Sequence, residues 1–253
     1  MPLLDAKVAL VTGSSRGIGA GIARAFAREG ARVVVHGRDE SALGEVSDAI
    51  RKAGGVIRTV TGDVTNFGDL ERMRADIERD FGPVDILVAN AGGSPVKPGP
   101  LEEITEEGWR ASIDGNLTST FLTIKSFLPG MKSRSSGNII TISSAAARRA
   151  HPQSPIAYSA AKAGIQMLTQ HLAAQVGGYG IRVNCIAPET ILTERTTRLI
   201  PEAQKKSMAE GHPIKRLGTP EDVARAAVFL ASAHSEWITG LIMDVSGGSV
   251  MSS

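Results

Sequence analysis

Cysteine is nearly absent from the chain: of 253 residues only Cys185 is one. No internal disulfide can form, and a cysteine-rich zinc site is impossible. The five histidines, His36, His151, His171, His212 and His234, show no ligand spacing. They are expected at the surface or at caps, and no metal is expected. No apolar stretch approaches the roughly 20 residues that cross a bilayer. The opening MPLLDAKVAL does not read as a signal peptide, since Asp5 and Lys7 interrupt its apolar run. A cytoplasmic protein is expected. An excess of one charge is also missing. The net charge is +2, which gives no case for nucleic acid or a membrane as partner.

What is present is the mix of an ordinary globule, 42% hydrophobic and 21% charged. Short β-rich runs alternate with longer helical windows. Strands are expected at 7–13, 31–37, 56–64, 83–93, 138–144, 181–188 and 241–245. Helices are expected at 17–30, 39–53, 66–81, about 105–133, 154–176 and 219–232, with an irregular, partly helical insertion over 190–217. Continuous apolar strands between amphipathic helices predict a parallel sheet covered on both faces. Right-handed crossovers then give a doubly wound, seven-stranded α/β fold of the Rossmann type. No repeat, linker or composition break divides it, so one domain is expected over 1–253.

The segment TGSSRGIG (12–19) joins the first strand to the first helix. Gly13, Gly17 and Gly19 let the backbone turn tightly and approach a pyrophosphate resting on the helix N-terminus. No G-K-[ST] follows, so this is not a nucleoside-triphosphate loop. Together with Asn90-Ala91-Gly92 and Tyr158-x-x-x-Lys162, the segment resembles the short-chain dehydrogenase/reductase family. The likeness extends almost end to end, as far as Val245-Ser246-Gly247-Gly248, and broadly to the 3-oxoacyl-acyl-carrier-protein reductase branch. It implies a nicotinamide cofactor and hydride transfer to or from a carbonyl carbon. Relatives that bind nucleotide without turnover typically lose the tyrosine or the lysine, and both are present here.

Carbonyl reduction needs a proton donor for the developing alkoxide. Bringing a phenol from about 10 toward 7 takes roughly 4 kcal/mol. One charge about 4 Å away supplies that at an effective dielectric near 20. Lys162 shares a helix face with Tyr158 at i+4 and is expected to lower it in this way. The small residues between them leave room for a flat cofactor. By resemblance, Ser144 hydrogen-bonds the substrate oxygen. It is placed at the end of the fifth strand, with Ser143 on the opposite face. Asn116, in DGNLTSTF, matches the family asparagine that holds a water linking Lys162 to solvent. A local hydrogen bond across a helix kink is the alternative.

The cofactor expected is NADP(H). At the end of the second strand, Gly37 stands where an acid would bind ribose hydroxyls. Arg38 and Arg16 instead suit a 2′-phosphate. Asp39 either reaches the ribose or caps the second helix. Ser15 and Ile18 complete the glycine turn. The resemblance further implies contacts from Asp63 and Val64 to adenine, from Asn90, Ala91 and Gly92 to the adenosine ribose, and from Pro188, Ile191 and Thr193 to the nicotinamide. The family usually reads Pro-Gly where this chain reads Pro188-Glu189. Glu189 either turns to solvent or faces the substrate.

Residues 190–217 are expected to form a lid over a small carbonyl or alcohol substrate. They contain no aromatic residue, which argues against a flat steroid. Arg195, Arg198, Lys205 and Lys206, with Arg148 and Arg149, suit a thioester on an acidic acyl carrier protein. Glu194, Glu202 and Glu210 interleave with them, and other ketones, sugars and polyols stay open. A homotetramer is implied by the resemblance.

Overall fold

The computed structural model describes residues 2–251, so Met1, Ser252 and Ser253 of the expected 1–253 domain lie outside it. The strands are β1 (Val8–Val11), β2 (Arg32–Gly37), β3 (Ile57–Thr61), β4 (Ile86–Ala89), β5 (Gly137–Ile142), β6 (Ile181–Pro188) and β7 (Ile242–Val245). The helices are α1 (Gly17–Arg28), α2 (Glu40–Lys52), α3 (Phe67–Asp80), α4 (Glu106–Ile113), α5 (Ser119–Ser133), α6 (Ile156–Val176), α7 (Glu194–Leu199), α8 (Glu202–Gly211) and α9 (Pro220–Ala231). Among the described residues no helix is long and apolar enough to cross a membrane.

All seven strands form one sheet in the order β3-β2-β1-β4-β5-β6-β7, and every neighbouring pair is parallel. The chain therefore works outward from β1 to β3, crosses back, and works outward again from β4 to β7. The reversal leaves a crevice between β1 and β4 at the carboxyl ends of the strands.

Alternate strand residues feed opposite cores, which is why β1 and β4 at the centre read as unbroken apolar runs. Ala9, Val11, Val33, Val35, Ile86 and Val88 pack with Phe26, Leu43, Val223 and Leu230 from α1, α2 and α9. Val8, Leu10, Val34, Leu87 and Ile139 pack with Leu70, Ile77, Phe127 and Leu172 from α3, α5 and α6. Phe26 is completely buried; truncating such a ring to alanine costs about 3–5 kcal/mol.

Helix starts follow local chemistry. Asn66 caps α3 by accepting from the Asp69 N–H at 3.2 Å. Thr219 and Asp222 form a reciprocal capping box on α9, with Pro220 at its first position. The long helix expected over 105–133 spans α4 and α5, joined by a π-turn at Asp114–Thr118. The insertion at 190–217 carries α7 and α8. Its ends are tied together, because the Leu192 N–H donates to the Gly218 carbonyl at 2.8 Å and the Gly218 N–H to the Thr190 carbonyl at 3.1 Å.

Candidate active site

The crevice is a continuous cleft of about 1420 Å³. That exceeds the roughly 300–1,000 Å³ of a single-ligand pocket and leaves space for a dinucleotide and a second molecule. Every residue assigned above to the cofactor lines it, from Gly13 and Arg16 through Arg38, Asp63 and Asn90 to Tyr158, Lys162, Ile191 and Thr193.

The end beside β1 is built from backbone. Gly13 has φ +62°, and a Cβ there would lie 2.8 Å from the Ala91 Cα. A Cβ on Gly19 would overlap the Gly13 carbonyl and lie 2.6 Å from the Asn90 Nδ2. Asn90 locks the turn by donating from Nδ2 to the carbonyls of Thr12 (2.8 Å) and Gly13 (3.0 Å). The Thr12 hydroxyl accepts from the N–H groups of Asn90 and Ala91 at 3.0 and 3.1 Å.

His36 belongs to this assembly, contrary to the expectation that the histidines lie at the surface or at caps. It is buried in β2. Its Nδ1 accepts from the Gly13 N–H at 3.1 Å, so Nε2 carries the hydrogen and donates to the Gly62 carbonyl at 3.1 Å. Burial holds its pKa below the ordinary histidine value. The run Val33-Val34-Val35-His36 was the available signal, since a polar residue inside a buried strand needs partners.

Arg16 does not stand free for a phosphate. It pairs with Asp39, whose other oxygen accepts from the Ala42 N–H at 3.1 Å and caps α2. This pair is half-exposed, and such pairs contribute only about 0–1 kcal/mol. Its opening would release the guanidinium at little cost. Arg38 also lines the cleft, and its charge reaches Asp63 and His36. Asp63 accepts from the Thr65 N–H and hydroxyl at 2.9 and 2.7 Å, which with Arg38 holds its pKa low.

At the other end, Tyr158 and Lys162 project from the first turns of α6 into the same cleft. The Lys162 Nζ lies 5.5 Å from the Tyr158 ring centroid and donates to the Ile142 carbonyl at 2.8 Å. Lys162 is only 4% exposed, and burial brings its pKa down to about 8. The phenol departs from the expected direction. Burial, the largest effect, pushes the Tyr158 pKa up, and the Ser144 hydroxyl and the Arg195 guanidinium pull it part of the way back. Arg195 is thus an electrostatic neighbour of the phenol that sequence reasoning missed. It sits in α7 and donates to the Ser94 carbonyl at 3.2 Å across the cleft mouth.

β5 ends at Ile142, so Ser144 lies beyond the strand rather than at its end. It caps a short 3₁₀ turn, accepting from the Ala146 N–H at 3.2 Å. Ser143 turns away: its hydroxyl donates to the Lys162 carbonyl at 2.8 Å and accepts from Gln166 Nε2 at 3.1 Å. Asn116 does not line the cleft. It is fully buried in the π-turn, where Nδ2 donates to the carbonyls of Gly93 and Ser112, both at 2.8 Å, and Oδ1 accepts from the Gly93 N–H at 3.1 Å. Both amide hydrogens are spent on backbone carbonyls.

Three of the six basic residues expected at the entrance stand against carboxylates, and among the described residues Arg195, Arg198 and Lys206 do not. Arg148 pairs with the half-buried Asp244 of β7 at 3.2 Å, Lys205 with Glu202, and Arg149 approaches Glu189 at 3.9 Å. Glu189 lines the cleft rather than turning to solvent.

Comparison with known proteins agrees with this architecture. The family model described as Enoyl-(Acyl carrier protein) reductase matches residues 13–250. Glucose 1-dehydrogenase 2 of Bacillus subtilis (strain 168) is 38% identical over 251 residues, covering 97% of this chain and 95% of that protein. The 3-oxoacyl-(acyl-carrier-protein) reductase of Chlamydia muridarum is 38% identical over 247 residues, covering 97% and 98%. A solved 3-oxoacyl-(acyl-carrier protein) reductase from Brucella melitensis, crystallised with bound NAD, superposes with a TM-score of 0.90 at 33% identity, covering 99% of this chain and 94% of that one. With this sheet order, this cleft and relatives matched along nearly their whole length, the chain belongs to the short-chain dehydrogenase/reductase family of oxidoreductases.

Proposed function

We propose that the protein is an NADP(H)-linked oxidoreductase that reduces a ketone to a secondary alcohol. The observation that carries this reading is the meeting of Tyr158, Ser144 and Lys162 at one end of a cleft whose other end is the Gly13 turn with Arg38. The residues fit a dinucleotide, because the turn keeps open a cradle that a Cβ at Gly13 or Gly19 would fill. Arg38 and a released Arg16 suit a 2′-phosphate, and no acid stands at Gly37. NADPH, when bound, supplies the hydride.

The chain's own groups handle the oxygen. Ser144 and Tyr158 present hydroxyls that hydrogen-bond a carbonyl oxygen and stabilise the charge that develops on it. Tyr158 gives up its proton to that oxygen. Its upward-shifted pKa keeps the phenol protonated at neutral pH, as a donor for reduction must be. Lys162, cationic below its pKa of about 8, lies close enough to the ring to stabilise the phenolate left behind. Asn116 serves as a positioning residue that fixes Gly93 at the cleft wall. Residues 190–217 act as a lid on a single domain, latched by Arg195 on Ser94.

Exposed Phe121, Ile156 and Met167 on α5 and α6, with the sheet-edge strand β7, support a homotetramer. The family resemblance supports a cytoplasmic location. Oxidation of NADPH against a panel of carbonyl compounds, including 3-oxoacyl thioesters, tests the activity. Consumption of neither nicotinamide with any of them would refute it, and equal or tighter binding of NAD(H) would refute the cofactor preference.

A further inference from the structure

Ser144 stands outside regular strand structure. β5 stops at Ile142, and the next residues cross the end of β6 toward the edge strand β7. Before Ser144 the segment is pinned twice, both times at Ser143. Its N–H donates to the Ile186 carbonyl of β6 and its hydroxyl to the Lys162 carbonyl of α6, each at 2.8 Å. After Ser144 comes a single 3₁₀ turn, Ala145–Ala147. The bonds of this turn are local. The Ala147 N–H donates to the Ser144 carbonyl at 3.0 Å, and the N–H groups of Arg148 and Arg149 to the Ala145 carbonyl at 2.9 and 3.2 Å. The Ser144 hydroxyl accepts from the Ala146 N–H at 3.2 Å. Its direction is therefore as well fixed as the turn, and one turn of 3₁₀ helix is a weak element.

Arg148 supplies the missing anchor. Its Nη2 donates to Asp244 Oδ2 at 3.3 Å, and its Nε stands 3.2 Å from Oδ1. Only 26% of the Arg148 side chain and 10% of the Asp244 side chain are exposed, so water and salt screen this pair less than a surface pair. Asp244 Oδ1 is buried and has no hydrogen bond of its own. The arginine charge is what compensates it. Arg149 offers a looser tie, since 3.9 Å to Glu189 is beyond hydrogen-bond distance. Neither Arg148 nor Asp244 lines the cleft, and neither has a part in the hydride or proton transfer. Ser144 thus lies between two anchors, Ser143 on one side and the Arg148–Asp244 pair on the other.

We propose that Arg148 and Asp244 are positioning residues for Ser144: their pair ties the far end of the 3₁₀ turn to β7 and so holds the Ser144 hydroxyl in place at the cleft. This rests on the reading above that Ser144 and Tyr158 handle the substrate oxygen. A hydroxyl that stabilises a developing charge has to be in position before the reaction, and a misplacement of about 1 Å costs up to about 10²-fold in rate.

The first test needs no substrate. Hydrogen exchange of the purified full chain is followed over residues 144–149, with the Asn90 and Ala91 amides at the other end of the cleft as control. Asp244→Asn keeps the shape of the side chain and removes its charge. It should speed exchange over 144–149 at least about fivefold and leave the control unchanged. Unaltered exchange over that segment overturns the proposal. The second test is kinetic and uses NADPH with whichever compound of the carbonyl panel is reduced fastest. Asp244→Asn should lower kcat at least about tenfold, while the dissociation constant of NADPH changes less than about twofold. Arg148→Lys, which keeps the charge but not the two-point geometry, should retain more activity than Arg148→Gln. In a Ser144→Ala background the same Asp244→Asn change should cost less than about twofold, because the group it serves is gone. A merely structural pair gives the same loss in both backgrounds, and that result overturns the proposal. Should Asp244→Asn not fold, Arg148→Gln takes its place in both tests. If no compound of the panel is turned over, the oxidoreductase reading falls, and the exchange measurement decides whether the pair holds the turn.

Discussion

The two ends of the cleft are made of different material. Beside β1 the walls are backbone: the Gly13 turn, the Thr12 and Gly13 carbonyls held by Asn90, and an N–H braced by His36. Beside β5 and β6 the walls are side chains: Tyr158, Ser144, Lys162, Glu189 and, through Gly93, Asn116. A backbone wall tolerates almost no added atom, because its shape comes from the absence of a Cβ. A side-chain wall tolerates exchange in volume but not in chemistry, since each group carries a proton, a charge or a lone pair.

This contrast orders the expected effects of mutation. Tyr158→Phe removes one hydroxyl and should reduce turnover by about 10³-fold, within the range for general acid–base groups. Dinucleotide affinity should be retained, as fluorescence titration would show; near-normal rates would take Tyr158 out of the chemistry. Gly13→Ala adds one methyl at φ +62°, 2.8 Å from the Ala91 Cα. It should lose dinucleotide binding and about 2–4 kcal/mol of stability, read by denaturant unfolding. An alanine variant with unchanged affinity would show that the backbone wall yields.

Lys162→Met sharpens the comparison from the other side. A lysine whose pKa falls from 10.5 to about 8 on folding binds protons more readily when unfolded. Its charging therefore removes stability as pH falls from above 10 to below 8, and the loss is complete below 8. The methionine variant should be inactive yet more stable at pH 7, by about 1–3 kcal/mol after loss of the bond to the Ile142 carbonyl. Its stability should also vary less between pH 7 and 10. A destabilised variant would show that the ammonium is structural.

His36→Asn gives the smallest effect. With its pKa below 6.5 in the fold, His36 resists protonation there, so stability is full above pH 6.5 and is lost as pH falls below it. The asparagine can still accept from the Gly13 N–H but does not titrate. Its melting temperature should fall less than that of the natural protein between pH 7 and pH 5.

Much of this was legible in the sequence for a definite reason. Strands buried on both faces are mostly apolar, so their number and parallel arrangement could be read from 7–13 through 241–245, and β1 to β7 lie within or at those windows. The glycine turn and the Tyr158–Lys162 spacing are local patterns and mark the two ends of the cleft. What escaped notice depends on pairs far apart in the chain. Arg16 with Asp39, Arg149 with Glu189 and Arg148 with Asp244 form only once the fold exists. The direction of the Tyr158 shift escaped for a related cause: helix spacing reports which groups are near, but not how much water they lose. Ser144 was placed at a strand end because its preceding residues are apolar, whereas β5 stops at Ile142.

The wide turn at Asp114–Thr118 divides one continuous helix into a crankshaft with two throws: α4 rests on α6, and α5 on α3. The extra residue is taken up within the wide turn, so both throws keep their packing faces while Asn116 leaves the ordinary ladder to seat on Gly93 and Ser112. Removing that one residue would straighten the helix and withdraw the amide from the cleft wall, leaving the contacts of α4 and α5 with their neighbours in place.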